Sequence, residues 1–138
     1  MLTVCPHCFA RNRLDPERRD AQPTCGACKS ALFTGEPLTL TTATFDRFVT
    51  RNEMPVVVDF WATWCGPCKA MAPQFASAAR SLAGRVQFAK VDTDAEPQLA
   101  ARYGIRSIPT VIRFANGAEA DRRSGAVSAA ELERWLGK

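Results

Sequence analysis

No stretch of the 138 residues approaches the ~20 consecutive apolar residues that a membrane helix requires, so the sequence excludes a helical membrane span. The opening Met1-Leu2-Thr3-Val4-Cys5 lacks a basic n-region and an apolar h-region. No export signal is read there, and a cytoplasmic location is expected. Cytosolic thiols are kept reduced, so the six cysteines argue for metal binding and catalysis over structural disulfides. A strong charge excess is also missing. The formal net charge is +4, with five Lys/Arg against four acids in residues 1–37 and thirteen against ten in residues 38–138. That spread is no footprint for nucleic acid. Glycine-rich nicotinamide or flavin motifs, internal repeats and low-complexity segments are absent too, so no bound organic cofactor is expected. What remains is a chain with 46% hydrophobic residues, enough for a real core, whose length fits one ordinary domain plus a small appendage. A monomer is expected.

The stretch that carries chemistry is Asp59-Phe60-Trp61-Ala62-Thr63-Trp64-Cys65-Gly66-Pro67-Cys68-Lys69. It follows Val56-Val57-Val58, a β-branched apolar run suited to a strand covered on both faces. After Cys68, apolar residues recur at helical spacing: Met71, Phe75, Ala78, Ala79 and Leu82. A C-x-x-C at a strand-to-helix junction reads as a redox pair. The thiolate is the nucleophile, and the unsatisfied N–H groups and dipole of a helix start lower its pKa from ~8.5 to roughly 7. Cys65 stands at that start and is the expected attacker. Pro67 needs no N–H there, and Cys68 lies one turn in, able to resolve a mixed disulfide on Cys65. The competing account is a pair of inert core cysteines or half a metal site.

Residues 1–37 hold Cys5-Pro6-His7-Cys8 and Cys25-Gly26-Ala27-Cys28, with sixteen residues between the pairs. This spacing suits a tetrahedral zinc site, in which each tight turn aims two sulfurs at one ion. So short a segment buries too little apolar surface to fold alone, and metal binding would supply the folding energy. Two disulfides are the rival account, disfavoured by the missing signal. His7, the single histidine, is expected to be solvated rather than a ligand. One structural zinc on Cys5, Cys8, Cys25 and Cys28 is therefore expected, with a domain boundary after Pro37.

Along the rest of the chain, Arg11–Gln22 reads as an exposed loop and Gly35-Glu36-Pro37 as a linker. Leu38–Leu40 is a short strand, and Phe45, Phe48 and Val49 mark a helix over about 43–52. A strand Val56–Trp61 leads to a helix from about Cys65 to Ala83, where Pro73 predicts a kink. A strand follows at Val86–Asp92, then a short helix to Arg102 capped by Asp94. Asn116-Gly117 is a hairpin signal pairing Thr110–Phe114 with Glu119–Ser124. Ser128-Ala129-Ala130-Glu131 is a capping box for a last helix that buries Leu132, Trp135 and Leu136. Pro109 can open a strand in the trans form, and only about 5–6% of X-Pro bonds are cis. Asp59 is anomalous in an apolar strand. It is either a strand-end residue reaching solvent or a buried base of raised pKa.

Trp61 to Lys69 resembles the active-site motif of the thioredoxin family, and Ile108-Pro109-Thr110 resembles its cis-proline segment. The similarity runs from Leu38 to Lys138, and the N-terminal cysteines resemble the zinc-bearing extension of the bacterial thioredoxin 2 branch. The resemblance implies an α/β thioredoxin fold, a mixed central sheet flanked by helices, over residues 38–138, with a zinc-ribbon-like module at 1–37. It implies a cis Pro109, Asp59 as proton acceptor for Cys68, and Lys90 as that carboxylate's neighbour. Trp61 would pack beneath the motif. Trp64, Gly66, Pro67, Ile108, Pro109, Gly125 and Ala126 would form the apolar rim where substrates rest, with Ser124 where the family usually carries a larger residue.

Reduction of protein disulfides is the implied activity, with the oxidised Cys65/Cys68 pair restored by an NADPH-dependent thioredoxin reductase; disulfide-bearing client proteins are the other partners. An oxidase or isomerase is the alternative in the same chemistry. It is disfavoured because Gly66-Pro67 offers no side chain to stabilise the Cys65 thiolate further. A zinc-ribbon protein-binding or chaperone module with secondary redox activity is the alternative of another class.

Overall fold

The computed structural model describes residues 1–137. It begins with a small antiparallel pair, β1 (Leu2–Val4) and β2 (Arg11–Arg13), and a 3₁₀ turn at Pro16–Arg18. There follow β3 (Leu38–Thr39), a π-helical turn at Asp46–Thr50, β4 (Val56–Trp61), α1 (Gly66–Ser81) and β5 (Gln87–Asp92). The chain closes with α2 (Pro97–Arg102), β6 (Thr110–Ala115), β7 (Ala118–Ser124) and α3 (Ala129–Leu136). The larger sheet runs in the order β3-β5-β4-β6-β7. β3 and β4 lie parallel to β5, and β6 is antiparallel to both β4 and β7.

β4 is central because its side chains suit both faces. Val56, Val58 and Phe60 join Phe45, Phe48, Ile112 and Phe114 in one core. Val57 joins Met71 and Phe75 of α1, with Leu132 and Trp135 of α3, in the other. Strand alternation therefore puts Asp59 and Trp61 on the α1 side of the sheet. The same alternation in β5 puts Lys90 with Phe88 on that side, and Asp59 and Lys90 are register partners.

Three local readings change. The helix anticipated over 43–52 is one π-helical turn. The Thr50 hydroxyl donates to the Asp46 carbonyl at 2.6 Å within this turn; the anticipated face, Phe45, Phe48 and Val49, is nonetheless buried. Asp94 does not cap α2. Its N-cap is Glu96, whose side chain makes no capping bond, while Asp94 accepts from Trp64. The Arg11–Gln22 loop contributes β2, because its first three residues complete a ladder with Leu2–Val4. The hairpin is as anticipated: Asn116 and Gly117 have φ of 51° and 80°, and a Cβ at Gly117 would collide with the Thr50 carbonyl. α3 carries the full capping box between Ser128 and Glu131.

The N-terminal residues dock at the end of the sheet where β4 and β5 begin. Val4 is fully buried in the core with Phe48 and Val56. Thr3 Oγ1 lies 3.3 Å from Gln87 Oε1, Gln87 Nε2 donates to the Val4 carbonyl at 3.1 Å, and Asn52 Nδ2 also donates to Gln87 Oε1. The Glu53 N–H and the Leu2 carbonyl pair at 3.1 Å. The C-x-x-C motif sits at the other end, where β4 gives way to α1.

Candidate active site and metal centre

The first turn of α1 is organised by Cys65, its N-cap. The Cys65 backbone is extended, and its Sγ accepts the Cys68 N–H at 3.2 Å. That bond satisfies one of the orphan donors of the helix start and places the sulfur at the positive end of the dipole. Gly66 and Pro67 supply the first turn, with proline where no N–H is required. Cys65 and Cys68 are joined by a disulfide, with Cα atoms 5.2 Å apart. Both are nearly buried, but only Cys65 lines the open groove beside the motif, together with Trp64, Gly66, Pro67 and Ile108.

The Ile108–Pro109 peptide is cis, and Cys65 Sγ lies 3.8 Å from the Ile108 carbonyl oxygen. Gly125 N–H donates to the Pro109 carbonyl at 2.9 Å. Gly125 and Ala126 are exposed and do not line the groove; Gly125 meets the site through Pro109. Thr93, Ile105, Arg106 and Ser107 do line it. Sequence reasoning missed these four, because nothing in their spacing ties them to a motif some thirty to forty residues away; only the return of the chain before Pro109 does.

Asp59 is 1% exposed, and neither carboxylate oxygen has a hydrogen-bond partner among the described residues. Burial pushes its pKa up to about 7, with the Lys90 charge pulling weakly the other way. The account of Asp59 as a strand-end residue reaching solvent is therefore excluded. Lys90 Nζ stands 4.6 Å from the centroid of the Trp61 ring. Trp61 itself is packed against Ala62, Cys65 and Cys68. Trp64, 68% exposed, is held by its Nε1–H bond to Asp94 Oδ2 at 2.8 Å.

At the other end of the molecule, the sulfurs of Cys5, Cys8, Cys25 and Cys28 all lie within 4.8 Å of one another. The Cys5–Cys28 and Cys8–Cys25 pairs are 3.7 and 3.6 Å apart. A tetrahedron with metal–sulfur bonds of ~2.3 Å has edges of about 3.8 Å, whereas a disulfide needs ~2.05 Å. The donor set thus fits a tetrahedral thiolate-bound cation such as zinc. Its two halves repeat each other. Phe9 N–H bonds the Cys5 carbonyl at 3.0 Å, and Lys29 N–H bonds the Cys25 carbonyl at 2.9 Å. Phe9 and Lys29 take φ of 62° and 68°, a left-handed conformation at the position where glycine would be easiest. The His7 and Ala27 N–H groups point at Cys5 and Cys25 Sγ, each at 3.4 Å. The His7 side chain is exposed.

Comparison with known proteins agrees with both ends. The family described as Thioredoxin matches residues 36–138. This chain belongs to the thioredoxin family. The zinc-ribbon family described as Thioredoxin 2, N-terminal, matches residues 4–30. Thioredoxin C-3 of Corynebacterium nephridii is 44% identical over 136 residues, covering 99% of this chain and 93% of its own. Thioredoxin 1 of Nostoc sp. is 44% identical over 99 residues, covering 72% of this chain and 92% of its own. Among solved structures, the thioredoxin of Malassezia sympodialis superposes with a TM-score of 0.65 at 40% identity, over 72% of this chain and 86% of that one. The protein is a thiol–disulfide oxidoreductase of the thioredoxin type, a protein-disulfide reductase with an N-terminal four-cysteine cluster of zinc-ribbon kind. No helix of the described residues is long and apolar enough to cross a membrane.

Proposed function

We propose that Cys65 is the attacking thiolate and Cys68 the resolving one. The observation that carries this order is that Cys65 alone of the two lines the groove, while its sulfur caps α1. In the reduced enzyme the Cys65 thiolate attacks one sulfur of a client disulfide, forming the mixed disulfide and expelling the client's other thiolate. The Cys68 thiolate then attacks Cys65 Sγ, closing the Cys65–Cys68 disulfide and releasing the second client thiol. Two electrons pass to the client, and each released thiolate takes up a proton.

Asp59 receives the Cys68 proton in this reading. It shares the α1 side of the sheet with Met71 and Phe75, Cys68 is buried in the same helix three residues before Met71, and a pKa of about 7 poises Asp59 to accept. Lys90 and Trp61 set its surroundings, Lys90 acting through charge and Trp61 as the wall beneath the motif. Trp64, Gly66, Pro67 and Ile108 seat an extended client segment, which pairs with the backbone beside cis Pro109 as in strand addition. Gly125 and Ala126 extend that surface past Pro109. An NADPH-dependent thioredoxin reductase restores the dithiol, the cytoplasm is the compartment, and the chain works as a monomer.

One zinc ion is held by Cys5, Cys8, Cys25 and Cys28 and supplies folding energy to residues 1–37. Because Thr3 and Val4 are buried against the domain at the end of the sheet away from the motif, we assign this module a structural role. Residues 38–138 are the catalytic domain.

The test is insulin reduction with NADPH and thioredoxin reductase, on protein whose zinc has been counted. Fast turnover with one zinc per chain is expected. Trapping of client mixed disulfides by Cys68→Ser, and none by Cys65→Ser, is the required order; the reverse pattern would exchange the two roles.

A further inference from the structure

Among the described residues lining the groove beside Cys65, one is charged. Arg106 lines it with Trp64, Cys65, Thr93 and Ile108. Its guanidinium is exposed and forms no hydrogen bond or ion pair among the described residues. Elsewhere, Arg102 pairs with Asp46 at 2.9 Å and Arg122 with Glu119 at 2.7 Å. No residue lining the groove is acidic. The carboxylates flanking Thr93 lie outside the lining and turn oxygens to local donors. Asp94 accepts from the Trp64 indole, and Asp92 accepts the Asp94 and Ala95 N–H groups at 2.9 and 3.2 Å. A segment lying against Cys65 therefore meets an apolar wall at Trp64 and Ile108 and, two residues before Ile108, one cation without an ion-pair partner among the described residues.

We infer that Arg106 is a specificity-determining residue: it selects client segments that carry an acidic side chain beside the target cysteine. This rests on the groove being where clients bind. The contact is solvent-exposed, so its effect is modest and salt-sensitive.

The probe is a set of three peptides, each with one cysteine as its mixed disulfide with 2-nitro-5-thiobenzoate, differing only by Glu, Gln or Lys beside the cysteine. Rates for the reduced protein are divided by those for dithiothreitol, whose one charge is its reacting thiolate, to remove intrinsic differences in disulfide reactivity. The expected normalised order is Glu above Gln above Lys. The Glu-to-Lys ratio should be about threefold to tenfold at low salt and shrink toward one near ~0.5 M salt. Arg106→Gln should collapse the ratio and Arg106→Glu should invert it, a reversal that a structural role for Arg106 would not produce. Equal normalised rates in the parent protein, or an unchanged ratio in Arg106→Gln, overturn the inference. Trp64→Ala separates the two levels. If it slows the Gln peptide while charge has no effect, the groove stands and the role of Arg106 falls. If neither Trp64→Ala nor charge matters, the client groove itself falls, and the inference with it.

Discussion

The two ends of the central strands treat buried polar groups in opposite ways. Where β4 and β5 begin, Thr3, Asn52 and Gln87 are buried and bonded to one another and to the Val4 carbonyl. Farther along the same strands, toward the C-x-x-C end, Asp59 is equally buried and has no partner at all among the described residues. Among the described residues four buried side-chain polar atoms lack a partner: three belong to Asp59 and Trp61, and the fourth is Arg113 Nε. A satisfied buried network holds two parts of a chain in one arrangement. An unsatisfied carboxyl destabilises the fold and shifts its own pKa. The first arrangement serves structure; the second suits proton transfer.

That contrast can be broken from either end. The largest effect is expected at the sulfur itself: Cys65→Ser should lower insulin reduction by about 10³-fold or more, since nothing else in the groove is a thiolate. Appreciable residual turnover would remove it as the nucleophile.

Asp59→Asn comes next. The folded pKa of about 7 stands above the ordinary 3.8. Between those values the unfolded chain gives up its proton while the folded one retains it, so stability falls as pH rises and levels off above pH 7. The variant lacks this contribution. It should match the parent near pH 4 and exceed it by on the order of 4 kcal/mol at pH 8 in denaturant titrations. Its resolving step should slow at neutral pH. Parallel stability curves for the two proteins across this range would mean that Asp59 is not a buried acid of raised pKa.

At the opposite end, Gln87→Leu should lower stability by about 1–3 kcal/mol, because Asn52 and the Val4 carbonyl lose their buried partner. Turnover at saturating reductase should stay within about twofold. A large loss of turnover in a folded variant would couple the two ends and undo the comparison. Stripping the proposed zinc with a chelator should act in the same direction as Gln87→Leu, loosening residues 1–37 first, as read by amide exchange along the chain.

The smallest effect is expected for Asp94→Ala. It frees the Trp64 indole, and an exposed bond of this kind is worth about 1 kcal/mol or less. The measurement is the rise in KM for a neutral disulfide peptide, with kcat held.

Much of this was legible in the residues. A C-x-x-C between a β-branched run and a 3.6-residue apolar pattern places its own thiol at a helix start, because both signals are local. The capping box and Asn116-Gly117 are likewise complete within four residues. Phe45, Phe48 and Val49 announced a buried face but not the π-helical turn, since apolar spacing of this kind marks which side is buried and not which carbonyl each N–H reaches. Asp94 looked like a cap and became the partner of Trp64, thirty residues earlier, a competition no local pattern records.

Residue order alone was enough for the redox pair, its placement at a helix start, the clustering of four cysteine sulfurs and the alternation that gives β4 its two faces. Each depends on spacing within a few residues, where backbone geometry leaves few choices. Other features exist only in the closed fold: residues 1–37 dock where the strands begin and, among the described residues, Asp59 has no partner and Arg106 stands free beside Cys65. These depend on which groups meet, or fail to meet, across long stretches of chain, and such burial and pairing are set only when the whole core packs.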